Sequence, residues 1–128
     1  SAAKPGPKFG AKAEKALPES MPPARLIAWF AGQEPLTGEG MVRLGEALLA
    51  TGETNYGAGW IARAFATNVF DPTRQRELFS AYEQYLKGPP AAARMTLLLW
   101  SHEAAQAQWL LAQIPVDGRS VASARLAL

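Results

Sequence analysis

Apolar residues recur along most of this chain at intervals of three or four positions, which is the period of an α-helix. In the first such stretch Leu26, Trp29 and Phe30 fall on one face, between a Pro22-Pro23 start and a stop at Gly32. Proline is tolerated at a helix start because the N–H it lacks would have no partner there. We therefore expect an amphipathic helix between Pro22 and Gly32.

Further amphipathic stretches follow at residues 39–51, 56–68, 72–86, 90–100 and 103–113. Thr37 or Gly38 is expected to cap the first of them, and Asp71 the third. A last helix is expected from about Asp117 onwards. Its pattern runs to Leu128 without a glycine stop, so we expect the chain to be part of a longer protein.

The chain also contains an internal correspondence between two helix pairs. Leu49 and Gly57 are eight residues apart, and so are Leu99 and Ala107. A small residue where two helices cross lets their backbones approach closely. We therefore expect an all-α fold of about six to seven short helices, arranged as antiparallel pairs in a right-handed α-solenoid (superhelix) of the tetratricopeptide-like kind.

Composition supports a helical protein of modest size. The 128 residues are 48% hydrophobic, and the strong helix formers Ala and Leu dominate. The net charge of +2 comes from residues 1–20, which carry four lysines and two glutamates, whereas the other residues balance nine basic with nine acidic side chains. We expect residues 1–20 to be a flexible Lys/Pro/Ala-rich tail and residues 21–128 to be a helical-repeat domain. Charge confined to a tail does not indicate nucleic-acid binding.

Residues that could carry chemistry are few. There is no cysteine, and His102 is the only histidine. Carboxylate pairs such as Glu39 with Glu46 do not share one apolar pocket, so no tuned acid–base pair is expected. No apolar run is long enough to cross a membrane. We predict no catalytic, metal-binding or cofactor-binding residue in this chain.

The four tryptophans are the remaining candidates for a functional surface. Each of Trp29, Trp60, Trp100 and Trp109 lies near an apolar stripe at helical spacing, so we expect core packing as their main role. Trp60 and Trp109 stand one place off the stripe. We therefore predict that these two contact a glycan or a partner protein.

Several segments resemble a known family. Residues 35–40 read Pro-Leu-Thr-Gly-Glu-Gly, residues 44–52 read Leu-Gly-Glu-Ala-Leu-Leu-Ala-Thr-Gly, and residues 60–65 read Trp-Ile-Ala-Arg-Ala-Phe. Together with Asp71-Pro72, residues 94–100 and residues 117–128, they are similar to the superhelical region of the soluble lytic murein transglycosylases of proteobacteria. The likeness covers about residues 24–128. It implies a periplasmic α-superhelix that carries a separate lysozyme-like domain, which cleaves peptidoglycan without water and leaves a 1,6-anhydro end.

The family's catalytic signature is not found in this chain. The family glutamate stands in a Glu-Ser dipeptide before an aromatic residue and a later Gly-Leu-Met-Gln motif. Here Glu19-Ser20 is followed by Met-Pro-Pro, and Gly-Leu-Met-Gln does not occur. Of the family's Asp-His-x-x-Arg-x-Asp run, only Arg94 remains. We therefore predict no catalytic role for Glu19.

Two functions stay open on the sequence. The first is the non-catalytic scaffold of a periplasmic lytic transglycosylase, which positions peptidoglycan glycan strands for the catalytic domain of the same parent chain. The second is a stand-alone helical-repeat module that binds another protein.

Overall fold

The computed structural model describes residues 10–114, and these residues form helices and connecting turns with no strand. In chain order the helices are α1 (Ala11–Lys15), α2 (Pro23–Phe30), α3 (Gly38–Ala50), α4 (Thr54–Thr67), α5 (Pro72–Leu86), α6 (Pro89–Trp100) and α7 (Ala104–Gln113). The all-α prediction is confirmed, and α2 to α7 begin and end within about two residues of the predicted ranges. The helix predicted from Asp117 onwards lies outside the described residues.

Two predicted caps are present at the starts of helices. The Thr37 hydroxyl accepts a hydrogen bond from the backbone N–H of Gly40 at 2.9 Å, in the first turn of α3. The Asp71 carboxylate accepts one from the N–H of Arg74 at 2.9 Å, and Pro72 follows as the first residue of α5. Each cap satisfies an N–H that has no partner within its own helix.

The chain divides into two compact units, Ser1–Ile61 and Ala62–Leu128, and the boundary falls inside α4. This differs from the predicted division into a tail and one helical domain over residues 21–128. Chain length gives only a prior on the number of domains. Helical hairpins are built from contacts that are close in sequence, so a short stretch of chain can form a packing unit of its own.

Residues 10–17 depart from the predicted flexible tail. The carboxylate of Glu14 in α1 is buried and accepts hydrogen bonds from the Leu36 N–H, the Thr37 N–H and the Thr37 hydroxyl. Leu17 is only 8% exposed and belongs to the first unit's core. The composition of the segment did not reveal this arrangement, because separate side chains hold it rather than a continuous apolar face. These are the Glu14 carboxylate, Leu17 and the Arg43 guanidinium, whose Nη1 donates to the Leu17 carbonyl at 3.0 Å. Residues 1–9 lie outside the described residues.

The core of the first unit joins α1, α2 and α3. Its buried members are Leu17, Leu26, Phe30, Leu44 and Ala47. On the α4 side of α3, Gly45 and Gly57 allow the two helix backbones to approach closely. A Cβ on Gly57 would lie 2.7 Å from the Gly45 carbonyl oxygen and 2.9 Å from the Leu49 nitrogen. The close crossing predicted at Gly57 is thus confirmed.

The core of the second unit is apolar with a polar centre. Fully or nearly fully buried apolar side chains come from each of its helices and include Phe65, Leu78, Met95, Leu98, Ala107 and Leu110. The rings of Phe65 and Phe79 lie 6.0 Å apart. Three polar side chains, those of Gln75, Arg94 and Gln106, are buried among them.

The α3–α4 turn (residues 51–53) and the α6–α7 turn (residues 101–103) have the same backbone arrangement. The Glu53 N–H donates to the Leu48 carbonyl at 2.8 Å, and the Glu103 N–H donates to the Leu98 carbonyl at 2.9 Å. The middle residue of each turn is left-handed, with φ of 91° at Gly52 and 58° at His102. The internal correspondence inferred from sequence therefore holds at the level of the turns.

Candidate functional site

Trp60, one of the two predicted contact residues, lies in an apolar groove of the first unit. The groove has a volume of about 290 Å³ and is lined by α2, α3 and α4 through Ile27, Phe30, Gly32, Gln33, Leu44, Leu48, Tyr56 and Trp60. Trp60 itself is half-buried and packs against the unit's core. Tyr56 stands at the mouth of the groove with 71% of its surface exposed. No charged side chain lines the groove, so it suits an uncharged, largely apolar ligand.

Trp109, the other predicted contact residue, is half-buried in the second unit. Its ring meets Phe79 edge-on with the centroids 6.0 Å apart, and the guanidinium of Arg76 lies 5.5 Å from its ring centroid. The pocket beside it holds only about 50 Å³. The contacts that the structure shows for Trp109 are therefore packing contacts within its unit, and its role in binding stays a prediction.

The other two tryptophans differ sharply from each other. Trp29 packs against the first unit's core, with its ring 5.0 Å from that of Phe30. Trp100, the last residue of α6, is 80% exposed, so the prediction of core packing is wrong for this residue. The buried stripe of α6 runs through Arg94, Met95 and Leu98, and Trp100 follows Leu98 by two positions, about 200° around the helix. That offset is readable in the sequence.

A buried arginine lies at the centre of the second unit, and sequence analysis did not identify it. The Arg94 Nε donates to the Gln75 side chain at 2.6 Å, and its Nη1 donates to the carbonyls of Phe65 at 2.8 Å and Asn68 at 2.5 Å. The guanidinium carbon lies 4.6 Å from the Phe65 ring centroid. Nη2 has no hydrogen-bond partner among the described residues.

This arrangement gives Arg94 a structural role. The two carbonyls belong to the end of α4, where the helix dipole is negative and a cation is favoured. Desolvation by burial lowers the pKa of Arg94 to about 10, so the guanidinium remains charged at neutral pH. The sequence signals for it were its place in the family run of which only Arg94 remains, and its position as a lone arginine on the apolar face of a predicted helix.

The carboxylate pair and the histidine considered in the sequence lie at the surface. Glu39 and Glu46 are both exposed, and so is His102. The buried carboxylate of Glu14 already accepts three hydrogen bonds, two from backbone N–H groups and one from the Thr37 hydroxyl. Across residues 10–114 there is no group of three or more acidic, His or Cys side chains that would hold a metal ion.

The described helices include none that is both long and apolar enough to cross a membrane. Comparison of the chain with family models, with curated proteins and with solved structures gave no match.

Proposed function

We propose that this chain is a non-catalytic helical scaffold that holds glycan strands of peptidoglycan for a separate lysozyme-like domain, as part of a periplasmic lytic transglycosylase. The proposal starts from the resemblance of residues 35–65 and 94–100 to the superhelical region of that family. The observation that carries it is the repeated hairpin turn. Glu53 and Glu103 close their turns with the same hydrogen bond, fifty positions apart.

Repetition of a helical hairpin favours a solenoid, because each pair buries its apolar face against the next. We therefore include in the proposal that the pairs α3–α4 and α6–α7, with α5 between them in the chain, are elements of one right-handed, tetratricopeptide-like superhelix. The small residues Gly57 and Ala107 stand at the matching positions of the two hairpins and are both buried. The all-α arrangement of residues 10–114 agrees with a positioning role.

Binding to intact cell-wall polymer tests the proposal. Purified murein sacculi are mixed with the full chain and sedimented, and the protein in the pellet is measured against sacculus concentration. We expect saturable retention in the pellet that soluble murein fragments reduce. A chain that stays in the supernatant at every sacculus concentration contradicts the scaffold function.

The apolar groove at Trp60 favours a second candidate, the stand-alone protein-interaction module. Its lining is uncharged, and the exposed Tyr56 at its mouth is a residue type enriched in protein interfaces. Sedimentation of the parent chain distinguishes the two functions, because a stand-alone protein-interaction module stays in the supernatant, and Tyr56→Ala tests whether the groove takes part in sacculus binding. Under the scaffold function the variant sediments with sacculi as the parent chain does.

A further inference from the structure

The α6–α7 turn differs from its counterpart by two large side chains. At the last residue of the preceding helix, Ala50 in the first turn corresponds to Trp100 in the second. At the left-handed position, Gly52 corresponds to His102. The closing hydrogen bonds of the two turns are the same, so the turn does not require a large side chain at either position.

Neither large side chain serves the fold of the second unit. Trp100 is 80% exposed, and His102 is also exposed. A residue with a Cβ adopts φ of 58° at an energetic cost that glycine avoids. The exposed Trp100 and the left-handed His102 therefore lie two residues apart on one turn, and neither side chain is part of the unit's core.

The chemistry of this pair suits a sugar ring. An indole presents a flat apolar face that can cover the C–H face of a pyranose, with an N–H at its edge. An imidazole offers a donor and an acceptor for the hydroxyl or acetamido groups at the rim of the ring. The chain neighbours of Trp100 are the half-buried Leu99 and Ser101. With 80% of its surface exposed, Trp100 does not lie in the enclosed apolar surround of a protein-binding hot spot.

We propose that the α6–α7 turn is a carbohydrate contact site, in which Trp100 stacks on a sugar ring of an N-acetylhexosamine strand and His102 hydrogen-bonds to its polar rim. This inference rests on the proposed glycan-binding function. Under this inference the side chain that contacts the glycan is Trp100, instead of the half-buried Trp60 and Trp109 that the sequence predicted.

Nuclear magnetic resonance of the full chain tests the site directly. The ¹⁵N-labelled protein is titrated with a tetramer of N-acetylglucosamine, and the indole N–H signals of the four tryptophans are followed, with the Trp100 signal assigned from Trp100→Phe. We expect the Trp100 signal to shift most. Trp100→Ala should weaken binding about tenfold and His102→Gly about threefold, the sizes expected for one stacking contact and one hydrogen bond.

Leu36→Ala provides the matched control, because Leu36 is an apolar side chain in the other unit with 63% of its surface exposed. It should bind the tetramer as the parent chain does. Equal binding by Trp100→Ala and the parent chain, or a larger shift of another indole, overturns the site. Sedimentation with sacculi without a Trp100 shift also overturns the site and leaves the scaffold function standing. A Trp100 shift without sedimentation supports the site and contradicts the scaffold.

Discussion

At the scale of single residues, His102 in the α6–α7 turn has a left-handed backbone and an exposed side chain. This combination indicates a role for the imidazole other than stability. His102→Gly should raise the free energy of unfolding by about 1 kcal/mol, because glycine adopts this backbone without a Cβ clash. Urea denaturation of the parent chain and the variant measures the difference. Gly52→Ala is the reciprocal variant and should lower stability by a similar amount. A destabilised His102→Gly variant would show that the imidazole supports the fold.

A second residue-scale prediction concerns the crossing of α3 and α4. Gly57→Ala should destabilise the chain by roughly 1–3 kcal/mol, because its Cβ would lie 2.7 Å from the Gly45 carbonyl oxygen. Gly59→Ala is the matched control in the same helix, since a Cβ there meets nothing within 4 Å. The control should be neutral or stabilising, as alanine favours helix. Equal thermal melts for the two variants would contradict the close crossing.

The contrast between Gly57 and Trp100 shows what the sequence could reveal about individual residues. Gly57 was predictable because a small residue recurs at the same place in two helix pairs. Trp100 was misassigned because its apolar character was weighed more heavily than its angle around α6. Arg94 could not be predicted, since its partners include backbone carbonyls of α4 that become neighbours only in the folded unit.

At the scale of helices, Arg94 links three elements of the second unit. Arg94→Lys should destabilise the chain by about 1.5–3 kcal/mol, because one ammonium cannot reproduce the planar fork that holds Gln75 and the end of α4. Chemical denaturation measures the loss. Arg25→Lys, at an exposed position of α2, serves as the control and should be neutral. An Arg94→Lys variant as stable as the parent chain would show that the carbonyl contacts contribute little.

The attachment of α1 to α3 gives a second prediction at this scale. Glu14→Ala removes the acceptor for two backbone N–H groups and the Thr37 hydroxyl, so it should cost about 1–3 kcal/mol. Hydrogen exchange should show faster exchange over residues 11–17 in this variant. Lys12→Ala, at an exposed position of the same helix, should leave exchange in that segment unchanged. Unaltered exchange in Glu14→Ala would mean that Leu17 and the hydrogen bond from Arg43 to its carbonyl hold α1 without the carboxylate.

The sequence predicted helices better than it predicted how they group. Helix periods and the caps at Thr37 and Asp71 are local, and local patterns identified α2 to α7 with small errors at the ends. Glu14 acts on residues more than twenty positions away, so α1 was interpreted as part of a flexible tail. The division into two units was not predicted either, because chain length gives only a prior on the number of packing units.

At the scale of the whole molecule, the full chain should lack muramidase activity. No described carboxylate is both buried and free to exchange a proton with a substrate, which general acid–base cleavage of a glycosidic bond requires. Incubation with purified sacculi and analysis for 1,6-anhydro-muropeptides tests this, with an active lytic transglycosylase as the positive control. Anhydro products above a no-protein control would contradict the prediction.

The unit boundary inside α4 bears on how the protein can be dissected. A cut between Ile61 and Ala62 would leave eight residues of α4 on one fragment and six on the other. Helices shorter than about 12–15 residues are marginal in water, so both fragments would lose this element at their new ends. Gly57 and Phe65 lie on opposite sides of that cut, each buried in its own unit. One continuous stretch of backbone thus serves two packing units, and a truncation series should keep Thr54–Thr67 whole.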